Sequence, residues 1–192
     1  MAPADVDETP LPGERPVAMA RRLAVEKARM CDVPGVLIAG DTVVAGPDGA
    51  EILGKPEDDA DARRMLRLLR GKQHTVITAV AVRNVARGAE LVEHVVTAVE
   101  MRPYGDAEID GYVESGLPLD KAGAYGIQDG GFAPVTAIAG CYLNVVGFPL
   151  CVVARLLRQA GLAVPDGLYT RRDCDCSADS ALHQPRDLHP AS

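Results

Sequence analysis

Apolar residues recur along this chain in two periods, and the switches between them mark out the elements. From Pro16 to Cys31 the residues Val17, Ala20, Leu23, Ala24, Lys27 and Cys31 share one face at i, i+3, i+4, i+7 spacing, which predicts an amphipathic helix. Pro16 suits its first turn, where a missing N–H costs nothing. A continuous run follows, Val36-Leu37-Ile38-Ala39-Gly40-Asp41-Thr42-Val43-Val44, and reads as a strand buried on both faces. Gly46-Pro47-Asp48-Gly49 then signals a turn. The returning Glu51-Ile52-Leu53 ends in Gly54-Lys55-Pro56, which predicts a hairpin. Helical spacing resumes over Asp58 to Leu69, with Ala62, Met65, Leu66 and Leu69 inward, and Asp58 and Asp59 suited to the helix N-terminus.

Thr75 to Val85 and Leu91 to Val99 are apolar and β-branched, and their short polar connection makes them a second hairpin. Gly105 to Ser115 reads as a helix with Ile109, Tyr112 and Val113 inward and Gly116 as its stop. Leu117 to Pro134 is a long Gly-rich connection, a kind of segment that is usually functional inside a compact domain. Val135 to Ile138 predicts a strand, Gly140 to Gly147 a turn, and Phe148 to Ala160 a final helix built on Val152, Val153, Leu156 and Leu157. From Val164 onward apolar residues thin out, so the expected organisation is one folded domain over 1–163 and a disordered tail over 164–192.

Polar residues that break these patterns are the candidates for chemistry. Asp41 lies inside an apolar run, where an uncompensated carboxylate is costly. It needs a cation, strong donors or a raised pKa. The hairpin brings Lys55 back near its level, so the two form either a pair across the ladder or a strand-end cap and a solvated turn lysine. Lys27 falls on the apolar face of the first helix, either snorkelling at its edge or pointing into a pocket. Asp7-Glu8-Thr9 taken alone is an acidic turn. Gln128, in the glycine-rich connection, offers an amide donor and an acceptor, a combination suited to the edge of a base. His74 sits at the mouth of a strand, where it could cap a turn, and His94 alternates with apolar neighbours as a structural histidine would. Cys174-Asp175-Cys176 with His183 and His189 fits no standard zinc spacing.

Composition narrows the classes. The 192 residues are 47% apolar with a net charge of −7, which argues against a protein that coats nucleic acid. Arg63, Arg64, Arg67 and Arg70 therefore read as a solvated helix face. No apolar run approaches the ~18 residues of a membrane helix, and the acidic, Pro-rich start is not a secretory signal. Cys31, Cys141 and Cys151 sit among apolar residues, and the odd total of five predicts reduced cysteines and a cytoplasmic setting.

Several runs together resemble the Maf family of nucleoside triphosphate pyrophosphatases. These are Gly40-Asp41-Thr42-Val43-Val44 with Leu53-Gly54-Lys55-Pro56, Gly71-Lys72-Gln73-His74-Thr75-Val76-Ile77-Thr78, Asp120-Lys121-Ala122-Gly123-Ala124-Tyr125-Gly126-Ile127-Gln128, and Asn144-Val145-Val146-Gly147-Phe148-Pro149-Leu150, where Phe148 replaces a leucine. The likeness spans roughly Asp5 to Gly161, in order. It implies an α/β fold like that of inosine triphosphate pyrophosphatases: an elongated mixed β-sheet flanked by helices, with a nucleotide cleft. It also implies hydrolysis between the α and β phosphates, releasing a nucleoside monophosphate and pyrophosphate. By this likeness Asp41 is the proton acceptor and touches the metal, Glu8 helps hold a Mg²⁺ or Mn²⁺ ion, and Lys27 and Lys55 hold phosphates. The Leu23-Ala24-Val25-Glu26-Lys27-Ala28 pattern favours the pocket role for Lys27. Thr42 with Gln128 resembles the dTTP/UTP branch. The other outcomes the family offers are another or modified nucleotide such as 7-methyl-GTP, or a weakly catalytic regulator of septum formation. A homodimer is expected on the same ground. The family's Ser-x-Ser-Pro-Arg-Arg turn does not occur in this sequence, which implies either a start placed too late or a shortened form lacking a central strand and part of the triphosphate grip.

Overall fold

In the computed structural model, residues 6–30, 34–165, 167 and 186–187 are described. The elements in order are α1 (Pro16–Arg29), β1 (Val36–Ala45), β2 (Ile52–Leu53), α2 (Asp59–Leu69), β3 (Gln73–Asn84), β4 (Ala89–Met101), α3 (Asp106–Glu114), β5 (Val135–Ala139), α4 (Tyr142–Val146), α5 (Leu150–Gln159) and β6 (Arg186–Asp187). Their sheet runs β2-β1-β3-β4-β5-β6. The α/β class and the flanking helices are as the sequence predicts. Every pairing among the described strands is antiparallel, where the family likeness implied a mixed sheet. The connections account for it. The β1–β2 and β3–β4 connections are hairpins, and α2 returns the chain from the β2 end of β1 so that β3 runs back along it.

Strand alternation assigns the two faces. Val43, Ala45, Ile77, Ala79 and Ala81 face α1 and pack on Met19, Ala20, Leu23, Ala24 and Ala28. Small residues on both sides let this helix lie close to the sheet, and the close approach carries the end of Lys27 toward β1. On the opposite face Val80 and Val82 pack under α5 with Cys151, Val152, Val153 and Leu156. Toward the other end of that face, Val44, Val76 and Val99 meet α2, α3 and the 117–134 connection in the largest core cluster. Asp58 caps α2, its Oδ1 accepting from the Asp61 backbone N–H at 2.8 Å, a cap contributing about 1 kcal/mol.

Three local expectations change. The Gly140–Gly147 turn contains α4, closed by Gly147 at φ 106°. The last helix starts at Leu150 instead of Phe148, since Pro149 occupies its N-cap. The arginines of α2 are paired rather than simply solvated: Arg63 with Asp110, Arg64 with Asp61 and Glu51, Arg67 and Arg70 with Asp106. Those acidic partners also remove any case for a nucleic-acid stripe. The tail expectation and the Cys174–Cys176 cluster lie outside the described residues, apart from residues 164, 165 and 167 and the β6 backbone, which pairs with Ala137 and Ile138. Cys31 is outside them too, while Cys141 and Cys151 are buried as expected.

Candidate active site

Two adjoining cavities open where β1 passes between α1 and the 117–134 connection. The larger, about 890 Å³, is lined by Glu8, Lys27, Asp41, Lys55 and Arg64 among others. The smaller, about 260 Å³, is lined by Val44, Val76, Tyr125, Gln128 and the Val145–Gly147 stretch. Thr42, Asp120 and Ala122 line both. One cavity is thus charged and the other mainly apolar, and β1 supplies the wall they share.

At the centre of the charged cavity, Lys27 Nζ donates to Asp41 Oδ1 and to Glu8 Oε1, each at 2.6 Å. Three elements bring these groups together. Glu8 is placed by the segment before α1, which is tied down when Thr9 N–H donates to Asp7 Oδ1 and Arg22 on α1 donates to the Thr9 carbonyl. Asp41 is 8% exposed, and burial pushes its carboxyl above the ordinary carboxylate range, offset only in part by the bond to Lys27. Burial works against the Lys27 ammonium as well, but its hydrogen bonds to Asp41 and Glu8 outweigh that and raise its pKa. The bond from Lys27 holds the more open Glu8 carboxyl low. Of the two readings the sequence left open, Lys27 takes the pocket one. Lys55 follows β2, whose Leu53 pairs with Val44, and lines the same cavity. Its charge acts weakly on both carboxylates.

The Glu8 and Asp41 oxygens converge on one point, now filled by an ammonium. Among the described residues no group of three or more His, Cys, Asp or Glu side chains comes together. A pair of carboxylates beside a roomy, charged cavity suits Mg²⁺ or Mn²⁺, hard ions that take one or two carboxylates and complete their shell with water and phosphate oxygens.

In the second cavity Gln128 is exposed on a turn closed by Asp129 N–H donating to the Gly126 carbonyl. The turn is held from below by Tyr112 on α3. Its hydroxyl accepts from Gly126 N–H and donates to the Asp129 carboxylate, and its ring stacks on Phe132 at 4.3 Å. Gly126 has no room for a side chain, since a Cβ there would lie 2.6 Å from Asp129 Oδ2. Beside it, Tyr125 is anchored to the sheet by a 2.8 Å bond to His74 Nε2. His74 is not a turn cap: it is 2% exposed, and burial pushes its pKa down to about 4. His94 is exposed, with its Nδ1 3.4 Å from Arg21.

The remaining wall is Thr42, whose Oγ1 lies 2.9 Å from Thr78 Oγ1. Thr78 is held by Asn144 of α4, which is fully buried. Asn144 Oδ1 accepts from Thr78 N–H, and its amide donates to the Val76 carbonyl and to Thr97 Oγ1. Tyr112, Thr78 and Asn144 carry no site role in the sequence reading, Tyr112 standing only as a core residue and the other two only within the family-like runs. The available signal was a buried-strand threonine paired in register with Thr42 and an asparagine set among apolar residues.

Comparison with known proteins agrees with this layout. Residues 1–160 match the family profile described as Maf-like protein. A dTTP/UTP pyrophosphatase of Anaeromyxobacter dehalogenans is 54% identical over 166 residues, covering 85% of this chain and 84% of that protein. Proteins of the same description from Geobacter sulfurreducens and Chromobacterium violaceum are 48% and 47% identical, each with 82–84% of both chains covered. With the family profile matched over most of its length and relatives near half identical, the chain belongs to the Maf family.

Proposed function

We propose that this protein hydrolyses nucleoside triphosphates, dTTP and UTP first among them, to the nucleoside monophosphate and pyrophosphate. The observation that carries the reading is the buried Asp41 carboxylate, sharing Lys27 with Glu8 at 2.6 Å on each side, at the charged end of a cleft whose other end is a base-sized cavity. A nucleotide laid along β1 puts its base against Thr42 and Gln128 and its triphosphate among Lys27, Lys55 and the carboxylates. The naming of the relatives as dTTP/UTP pyrophosphatases supports the same choice of bases.

Asp41 takes the proton of the water that attacks the α-phosphorus. A carboxylate raised by burial is a stronger base than a solvated one, which suits proton transfer near neutral pH. Lys27 and Lys55 set positive charge against the phosphoryl oxygens and the departing pyrophosphate. Glu8 and Asp41 would hold the divalent ion, whose bound form supplies Lewis-acid neutralisation of triphosphate charge. Val44, Val76 and Ile127 give the proposed base cavity an apolar wall. Intracellular nucleotides as substrates, together with buried Cys141 and Cys151, support a cytoplasmic setting.

The test is pyrophosphate release from dTTP, UTP, CTP, GTP and 7-methyl-GTP with Mg²⁺ or Mn²⁺, beside Asp41→Asn. Turnover of dTTP and UTP that Asp41→Asn loses supports the reading. No turnover of any nucleotide refutes it.

A further inference from the structure

The hydrogen bonds behind the base cavity have a fixed direction. Thr78 Oγ1 lies 2.9 Å from the Asn144 carbonyl, and a carbonyl can only accept, so the single hydroxyl proton of Thr78 is committed there. Thr78 Oγ1 is also 2.9 Å from Thr42 Oγ1. With the Thr78 proton used, Thr42 must donate. Asn144 cannot reverse the arrangement. Its amide is fixed by a backbone N–H on its oxygen and a backbone carbonyl on its nitrogen, groups that each play one role only. Thr42 therefore faces the cavity with lone pairs and no free proton.

We infer that Thr78 and Asn144 are positioning residues that polarise Thr42 into an obligate hydrogen-bond acceptor, selecting bases that carry a ring N–H and rejecting cytosine. Uracil and thymine present a donor at N3 between two carbonyl oxygens. Cytosine presents a lone pair at N3, which would oppose the lone pairs of Thr42. An acceptor facing an acceptor in a desolvated wall leaves both unpaired, whereas the bond to uracil is made without reorganisation. The inference rests on the reading that the Thr42 and Gln128 cavity takes the base. It goes further by assigning the polarity of the wall and two residues that set it.

The measurement is kcat/KM for UTP and CTP in the wild type and in Thr78→Val, Thr78→Ser and Thr42→Val, with inhibition by inorganic tripolyphosphate followed alongside. The wild type should prefer UTP by ~10- to 100-fold, the ratio expected for one unmade buried hydrogen bond. Thr78→Val, close in shape and without a hydroxyl, frees the Thr42 proton to rotate toward the cavity. It should lower the UTP/CTP ratio by roughly tenfold, chiefly by improving CTP. Thr78→Ser should restore the ratio, and tripolyphosphate inhibition should stay put in all three variants. A Thr78→Val ratio equal to wild type, where Thr42→Val lowers it, overturns the polarity argument and leaves the base cavity standing. A ratio that Thr42→Val also leaves unmoved refutes the base cavity and the inference with it. N3-methyluridine triphosphate tests the wild type without any variant: it lacks the N3 proton and should be a poor substrate, and turnover equal to that of UTP overturns the inference.

Discussion

Lys27 of α1 and Asp41 of β1 meet at 2.6 Å across the helix–sheet interface, and the burial of Asp41 makes that contact structural as well as chemical. Replacing Lys27 by Met strands a carboxylate in a low-dielectric wall. The expected cost is about 2 kcal/mol, below the 3–5 kcal/mol of a fully buried pair because the Lys27 edge and Glu8 reach solvent. Asp41→Asn removes the charge instead. It should leave stability within about 1 kcal/mol while lowering kcat by ~10²- to 10⁴-fold, the range for loss of a general base. Urea unfolding and steady-state kinetics on the two variants should therefore diverge. A Lys27→Met protein as stable as wild type contradicts the pairing argument.

His74 should make stability depend on pH. Burial holds it neutral, with a folded-state pKa of about 4 against an ordinary value of 6.5. Between those values the unfolded chain binds more protons than the folded one, so stability falls as pH is lowered from 6.5 and the loss is complete below about 4. That difference corresponds to roughly 3 kcal/mol. Its Nδ1 is buried with no hydrogen-bond partner among the described residues, so no acceptor there rewards protonation. His74→Gln can keep the contact to Tyr125 while removing the titration. Urea midpoints from pH 7 to pH 4 should fall less steeply in His74→Gln than in wild type. Equal slopes would place the acid sensitivity elsewhere.

Tyr112→Phe keeps the stack on Phe132 and removes both bonds by which the Tyr112 hydroxyl holds Gly126 and Asp129, leaving the turn only its own Asp129 N–H to Gly126 carbonyl bond. The Gln128 turn then loses its support while the core is retained. KM for dTTP and UTP should rise about three- to tenfold, with kcat and tripolyphosphate inhibition little changed. Gly126→Ala should act the same way and more strongly, because its Cβ would collide with Asp129. If Tyr112→Phe lowers the melting temperature but leaves KM alone, the tyrosine is a core residue only.

Most of the scaffold was legible in the sequence. The face of α1, the β1–β2 and β3–β4 hairpins and the α2 cap at Asp58 all follow from periodicity and turn chemistry, which are local. The meeting of Lys27, Glu8 and Asp41 was legible only through family likeness, since no local rule brings residues 19 and 14 positions apart to one point. What escaped was second-layer support. Tyr112 carries an ordinary core pattern, and its hydroxyl becomes meaningful only once the 117–134 connection folds back over α3. Asn144 escaped because the turn around it hides a helix, α4, whose stop at Gly147 depends on a left-handed φ that a sequence suggests but does not assign. The antiparallel β1–β3 pairing likewise depends on where α2 returns the chain, a tertiary choice.

Lys55 offers the cleanest separation of binding from folding. It lines the charged cavity but is exposed, and among the described residues it makes no pair like that of Lys27 with Asp41. Removing it strands no buried charge, so Lys55→Ala should change stability by less than about 0.5 kcal/mol, as surface substitutions usually do. On the proposed reading of the cleft, its charge faces the triphosphate. Loss of one charge-assisted contact should weaken tripolyphosphate inhibition and raise KM for dTTP and UTP alike by ~10-fold or more. The UTP/CTP ratio should not move, because Lys55 lines the charged cavity and not the one proposed to take the base. Lys27→Met should instead lose stability and phosphate affinity together. If Lys55→Ala leaves tripolyphosphate inhibition intact, the phosphate grip lies on Lys27 and not on the β2 lysine, and the hairpin's role reduces to closing the cleft wall.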